Sequence, residues 1–216
     1  MDHLVVVAAT LEQGVEWCEA TLGVVPGPGG KHPLMGTHNR LMRIATAAYP
    51  HAFLEIISID PAARPQAHRR WFDMDDALLQ QAVQSEPRLV HFVASTTTGA
   101  ALVKALSQLG IDRGRLLHAE RGALRWQITV RPDGQRLFYG ALPTLIQWDC
   151  KHPADDMPDS GLGLQAISIH HPRPDDLRAA HAAIGLQGVT VDGGAPNLAA
   201  TLRTPKGIVT IESAGT

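Results

Sequence analysis

The chain has 216 residues, 44% of them hydrophobic and 19% charged, which is enough to bury a core of its own. Nineteen Lys and Arg against 21 Asp and Glu leave a formal charge of −2, so no polycationic face is offered to nucleic acid or to an anionic membrane. The longest apolar runs fall far short of the roughly 20 residues of a spanning helix, no export signal is expected from the opening residues, and Cys18 and Cys150 stand in no paired pattern. A cytoplasmic protein with reduced thiols is expected.

Leu4 to Ala8 reads as a buried strand, and Thr10 is placed to cap a helix carrying Leu11, Val15, Cys18 and Leu22 on one face, ended by Gly23. Residues 23–36 are loop, held open by Pro26, Pro28, Pro33 and their glycines, with room for one short strand. Strands follow at 39–44 and 52–59. The order then returns: a strand at 89–95, a helix with Leu102, Leu106 and Leu109 stopped by Gly110, and strands at 115–120, 124–130 and 144–149. It returns once more, shorter, with a strand at 164–170, a helix at 175–184 stopped by Gly185, and strands at 189–191, 198–202 and 208–212. Anchored on Gly23, Gly110 and Gly185, three βαβββ units are spaced 87 and 75 residues apart. The resulting division is a first unit at 1–60, a helical connector at 61–87, a second unit at 88–150, a linker at 151–163 and a third, shorter unit at 164–216. In the connector a helix is expected from Asp73 to Gln84, its acidic start facing the positive end of the helix dipole.

No Gly-x-Ser-x-Gly elbow, Walker loop or His-Glu-x-x-His is present. Glu55 is the informative residue, because it lies within Phe53-Leu54-Glu55-Ile56-Ile57. A carboxylate in an otherwise buried strand costs several kcal/mol unless it is paired, bound to metal or turned to a wet cavity. His3 stands at the matching end of the first strand and His38 opens the next. Two imidazoles and a carboxylate would suit Fe, Mn, Ni or Zn with positions left for substrate; in the alternative reading His3 is a surface terminus, Glu55 pairs with Arg40 or Arg43, and His38 is a loop residue. Lys31, His32, Thr37 and Asn39 crowd a glycine-rich segment too polar to be scaffold alone and are expected to touch ligand. Trp126 and Trp148 alternate along strands and would line a cavity or fill a core. His51, His91, His118, His152 and His181 have no partner visible in the sequence.

The stretches His3-Leu4-Val5-Val6, His32-Pro33-Leu34-Met35-Gly36-Thr37-His38-Asn39, Phe53-Leu54-Glu55-Ile56-Ile57 and Leu145-Ile146-Gln147-Trp148-Asp149 resemble the glyoxalase-like proteins of the vicinal oxygen chelate superfamily. The resemblance implies an α+β fold in which βαβββ modules pair their curled mixed sheets into an incomplete barrel, with metal ligands drawn from the first and fourth strands of each module. His3 and Glu55 would come from the first module. In the second, Val90 stands opposite His3 and Gln147 opposite Glu55, so glutamine alone could contribute. The implied protein is a metal-dependent enzyme acting on a small oxygenated molecule, with Glu55 and His38 as catalytic candidates, a divalent ion held by His3, Glu55, His38 and Gln147, and no organic cofactor. The alternative is a metal-free protein that sequesters a small molecule in the same cup. A homodimer is expected through the third sheet, whose apolar face would otherwise be bare.

Overall fold

In the computed structural model, which describes residues 1–64 and 66–215, the first unit consists of β1 (His3–Val7), α1 (Leu11–Leu22), β2 (Lys31–His32), β3 (Thr37–Arg43) and β4 (Phe53–Ile59). Residue 65 of the connector and residue 216 of the third unit lie outside the described residues. The Thr10 side chain accepts the N–H of Gln13 at 3.1 Å, and Gly23 closes α1 in the left-handed region at φ 76°, as expected of these caps. β2 fills the space left for a short strand in the loop. After α2 (Ala77–Ser85), the second unit repeats the order with β5 (Arg88–Ser95), α3 (Gly99–Gln108), β6 (Arg115–Arg121), β7 (Leu124–Val130) and β8 (Thr144–Trp148).

These eight strands form one sheet in the order β2-β3-β4-β1-β5-β8-β7-β6. In each half the first strand runs parallel to the fourth, and β1 joins β5 antiparallel. An approximate two-fold therefore passes between β1 and β5, and the sheet curls into a nearly closed barrel. Successive side chains point to opposite faces. Leu4, Val6, Leu54 and Ile56 point outward into a core shared with α1, while Val5, Val7 and Ile57 point inward with Val90, Val93 and Ile128.

The connector departs from expectation. Its helix begins at Ala77, and Asp76 is the cap, accepting Leu78 N at 2.9 Å and Leu79 N at 3.0 Å. Asp73 and Asp75 precede the helix and pair instead with Arg136 and Arg70. A turn through Phe72 and Asp73, at φ 59° and 57°, sends Trp71, Phe72 and Met74 into the interior of the curled sheet. The connector thus packs against the inner face of the sheet and lines its cavity.

The third unit contains β9 (Gly163–His171), α4 (Pro174–Ala183), β10 (Val189–Gly193), β11 (Asn197–Thr204) and β12 (Gly207–Glu212). Its order is β10-β9-β11-β12, with β10 beside and parallel to β9. The first strand here pairs with the second and third rather than the fourth, so the connectivity is not that of the first two units. Alternation also puts Ile167, Ile169, Leu198, Leu202 and Ile211 on one face together with Leu177 and Ala180 of α4, and that face packs into the core outside the large sheet, with Leu4 and Phe92. The opposite face carries Thr201, Arg203, Thr210 and Glu212, and Ile208 stays exposed. The apolar face is covered within the chain, which removes the reason for expecting a second copy there. Among the described residues no helix is long and apolar enough to cross a membrane.

Gly14 lets α1 lie close to β4, because a Cβ there would stand 2.3 Å from Ile56 Cγ2. Ile56 is fully buried and has little room to yield. Gly14→Ala should therefore lose about 1–2 kcal/mol in urea unfolding, overpacking exceeding the roughly 1 kcal/mol that alanine gains in a helix.

Candidate functional site

The curled sheet encloses a cavity of about 40 Å³ lined by His3, Asn39, Glu55, Arg121, Trp126 and Trp148, among others. An outer chamber of about 550 Å³ adjoins it, bordered by Leu34, His118, Arg125 and Asp149. His32, Trp71 and Trp126 line both and form the wall between them.

Glu55 reaches the cavity because it alternates with the outward Leu54 and Ile56 on β4. Asn39 Nδ2 donates to Glu55 Oε1 at 2.6 Å, while Oε2 lies 3.7 Å from His3 Nε2. The Asn39 carbonyl accepts Gly30 N at 2.8 Å and Arg121 Nη1 at 3.2 Å, so its amide joins three segments of chain. Arg121 ends β6 on the far edge of the sheet, yet its Nη1 stands 3.3 Å from His32 Nε2 on β2. The two open edges of the barrel meet through this contact. His32 Nδ1 lies 3.0 Å from Thr37 Oγ1; with Arg121 and Asn39 donating to Nε2, the proton belongs on Nδ1. Burial, reinforced by Arg121, pushes the His32 pKa down to about 4.

Behind His3 lies Asp2, fully buried. Its Oδ1 is 2.6 Å from His3 Nδ1, and its Oδ2 accepts Trp148 Nε1 and faces His152 Nε2, each at 2.9 Å. Burial by itself would raise the Asp2 pKa, but hydrogen bonds from His152 and His3, and their charge, hold it below the usual carboxylate range. A carboxylate on Nδ1 fixes the imidazole tautomer and turns the Nε2 lone pair toward the cavity.

Of the residues singled out from sequence, the fold brings together His3, His32, Asn39, Glu55, Trp126 and Trp148. Thr37 is buried just behind, against His32. His38 is on β3 with Thr37 and Asn39 but one residue out of phase, so it faces away from the cavity, in the field of Asp60, Lys31 and Glu12. Lys31, likewise out of phase with His32, is exposed and pairs with Asp60 at 2.6 Å. Gln147 falls between the inward Ile146 and Trp148, and its Oε1 accepts Gly99 N at the start of α3. His38, Lys31 and Gln147 are thus corrected to the outside of the barrel. Asp2, Arg121, Trp71 and Phe72 belong to the site and were not expected. His91, beside the Val90 position, has both ring nitrogens engaged, Nδ1 by Gly140 O at 2.8 Å and Nε2 by Thr144 N at 3.0 Å.

The donor set decides whether an ion fits the cavity. Catalytic zinc is normally held by three protein ligands, and here His3 and Glu55 supply two. His32 spends its Nε2 lone pair on Asn39 and Arg121, the second half contributes indoles and aliphatics, and the Arg121 guanidinium already offers Glu55 a positive charge. The residues do not fit a resident divalent ion. Among the described residues, three clustered donors occur elsewhere, at His51, His152 and Asp155.

Two βαβββ units sharing one curled sheet around a cavity define the vicinal oxygen chelate superfamily. Within it, the chain belongs to the glyoxalase-like domain family, which matches residues 1–185. No curated protein sequence matches the chain. Among solved structures, a hypothetical protein from Staphylococcus aureus aligns with TM-score 0.58 and 13% identity over 98% of this chain and 84% of that one. A methylmalonyl-CoA epimerase variant from Streptomyces coelicolor, in complex with 2-nitronate-propionyl-CoA, gives 0.46 and 17% over 69% of this chain and 97% of its own. The epimerase from Mycobacterium tuberculosis gives 0.40 and 16% over 68% and 85%. The first likeness is one of fold.

Asn39→Ala strips partners from Glu55 and from the Gly30 amide, both inside the barrel. It should cost about 2–3 kcal/mol in urea unfolding, a loss that a residue serving ligand contact alone would not show. Acid should destabilise the fold through its buried imidazoles. His32, His91 and His181 all have pKa values lowered by burial from 6.5, so between that value and the lowered ones the unfolded chain binds more protons. Stability is then full above pH 6.5 and falls as the pH drops, by up to about 3 kcal/mol for His32 at pH 4. Urea midpoints at pH 7.5 and 4.5 should differ accordingly, and by less in His32→Gln.

Proposed function

We propose that the cavity is a catalytic site which moves a proton on a small oxygenated molecule, with the body of that molecule held in the outer chamber. The observation that supports this reading is the row Asp2, His3 and Glu55, 0%, 6% and 6% exposed, aligned so that Glu55 Oε2 and His3 Nε2 face each other at 3.7 Å. Burying such groups costs several kcal/mol, and a cup meant only to hold a ligand would manage with its indoles.

The chemistry follows from the placement. Asn39 occupies Glu55 Oε1 and leaves Oε2 free as a base. A C–H next to a carbonyl group gives its proton to Oε2, and the electron pair of the broken bond moves onto the carbonyl oxygen. Arg121, whose guanidinium crosses over to Asn39, meets the developing oxyanion. His3, held by Asp2, is placed to exchange the proton with Glu55, which returns it to the carbon as the carbonyl re-forms. Trp71 and Trp126 border the outer chamber and suit a flat apolar portion of the substrate. One chain supplies every residue named, so this site does not depend on a second copy.

The test uses small carbonyl compounds with an apolar body, first screened for binding through tryptophan fluorescence. For those that bind, loss of the α-proton signal in D2O is followed by NMR. The wild-type protein should catalyse the exchange, and Glu55→Gln should slow it at least a hundredfold while keeping affinity within a few-fold. Tight binding without exchange in the wild type would instead favour a sequestering protein.

A further inference from the structure

A second cluster of donors lies outside the cavity, where the turn between β3 and β4 meets the segment after β8. One nitrogen from each of His51 and His152 and one oxygen of Asp155 lie within 4.8 Å of one another. Two donors on a tetrahedral Zn²⁺, at bond lengths of about 2.0–2.1 Å, stand roughly 3.3 Å apart. His51 Nδ1 and Asp155 Oδ1 are already 3.2 Å apart, and the two imidazole centroids are separated by 4.9 Å.

The third donor is prepared from the interior. His152 Nε2 lies 2.9 Å from Asp2 Oδ2, so a proton on that nitrogen leaves the lone pair on Nδ1. There it meets only a long contact with the Ala154 amide, at 3.2 Å, which a metal bond would displace. A buried carboxylate behind an imidazole orients the ring and makes it a better ligand. The other two side chains are accessible, His51 at 50% and Asp155 at 37% exposure, and Lys151, the adjacent cation, is turned toward Asp156. Where the cavity offers two donors beside a guanidinium, this cluster offers three with a carboxylate behind one of them.

We propose that His51, His152 and Asp155 bind a Zn²⁺ ion, its fourth position open to water, and so tie the β3–β4 turn of the first half to the segment following the second. Asp2 then serves two imidazoles at once, orienting His3 toward the cavity and His152 toward the ion. The proposal stands apart from the catalytic reading, since it uses neither Glu55 nor a substrate.

Calorimetric titration of the tag-free protein with zinc chloride tests it. One ion per chain should bind with a dissociation constant of micromolar or below and raise the melting temperature. His51→Ala and Asp155→Asn, both at exposed positions, should each weaken binding at least tenfold, and Glu55→Gln should leave it unchanged. Asp2→Asn, if it folds, should weaken binding about tenfold. Binding weaker than 100 µM in the wild type, or affinity indifferent to His51 and Asp155, would overturn the site and leave a plain imidazole–carboxylate pair. Loss of zinc in Glu55→Gln would overturn it too, by placing the ion in the cavity.

Discussion

The hydrogen bond from Asn39 to Glu55, 2.6 Å long, is the constraint around which the cavity is arranged. A carboxylate buried on the inner face of a curled sheet needs a fixed donor, and here one reaches it from the neighbouring strand. Asparagine alone among the nearby residues can donate to it and still accept from both the Gly30 amide and Arg121. That one side chain sets the loop before β2 against β3 and draws the far edge of the sheet toward the near one. Arg121, meeting Asn39 and His32, is what spans the two open edges of the sheet.

The two halves share a backbone plan and divide the chemistry. The first contributes the ionisable groups His3, His32 and Glu55 and the amide of Asn39, whereas the second contributes Trp126 and Trp148, with Arg121 the exception that crosses over. In a symmetric pairing each half would present ligands at corresponding strand positions. Here the corresponding inward positions hold indole and aliphatic groups, so charge is concentrated on one wall and flat apolar surface on the other. Such a cavity distinguishes the two ends of a bound molecule.

Much of this was legible in the sequence, and the misses have physical causes. Glu55 and His3 could be found because a charge inside an apolar run demands a reason, and the caps at Thr10 and Gly23 fixed α1. His38, Lys31 and Gln147 were misplaced for a single cause: a strand alternates its faces every residue, and a cluster of polar letters does not reveal its phase. Asn39, in phase with Leu41 opposite Glu55, could have been separated from His38 on that ground. Arg121 carried no signal, since its role exists only once the barrel closes. Asp2 was visible as the neighbour of His3 but reads as a terminal residue until burial is known. The apolar face of the third sheet was expected to be bare, because the sequence does not show that α4 and the outside of the large sheet meet it.

That third sheet has a mechanical consequence. The two halves of the large sheet are joined along the backbone pairing of β1 and β5, a seam that could peel strand from strand. β11 and β12 lie against β5, Leu164 N bonds Ile44 O at 2.8 Å, and Tyr49 Oη donates to Gly188 O at 2.6 Å. From the same unit, His181 Nε2 meets Ala141 O, at 2.9 Å, in the second half. The last quarter of the chain therefore works as a splint laid across the joint, and neither half can swing open until it lifts. Separating the two halves therefore means breaking contacts on the outer side of the sheet, made by residues far from the cavity.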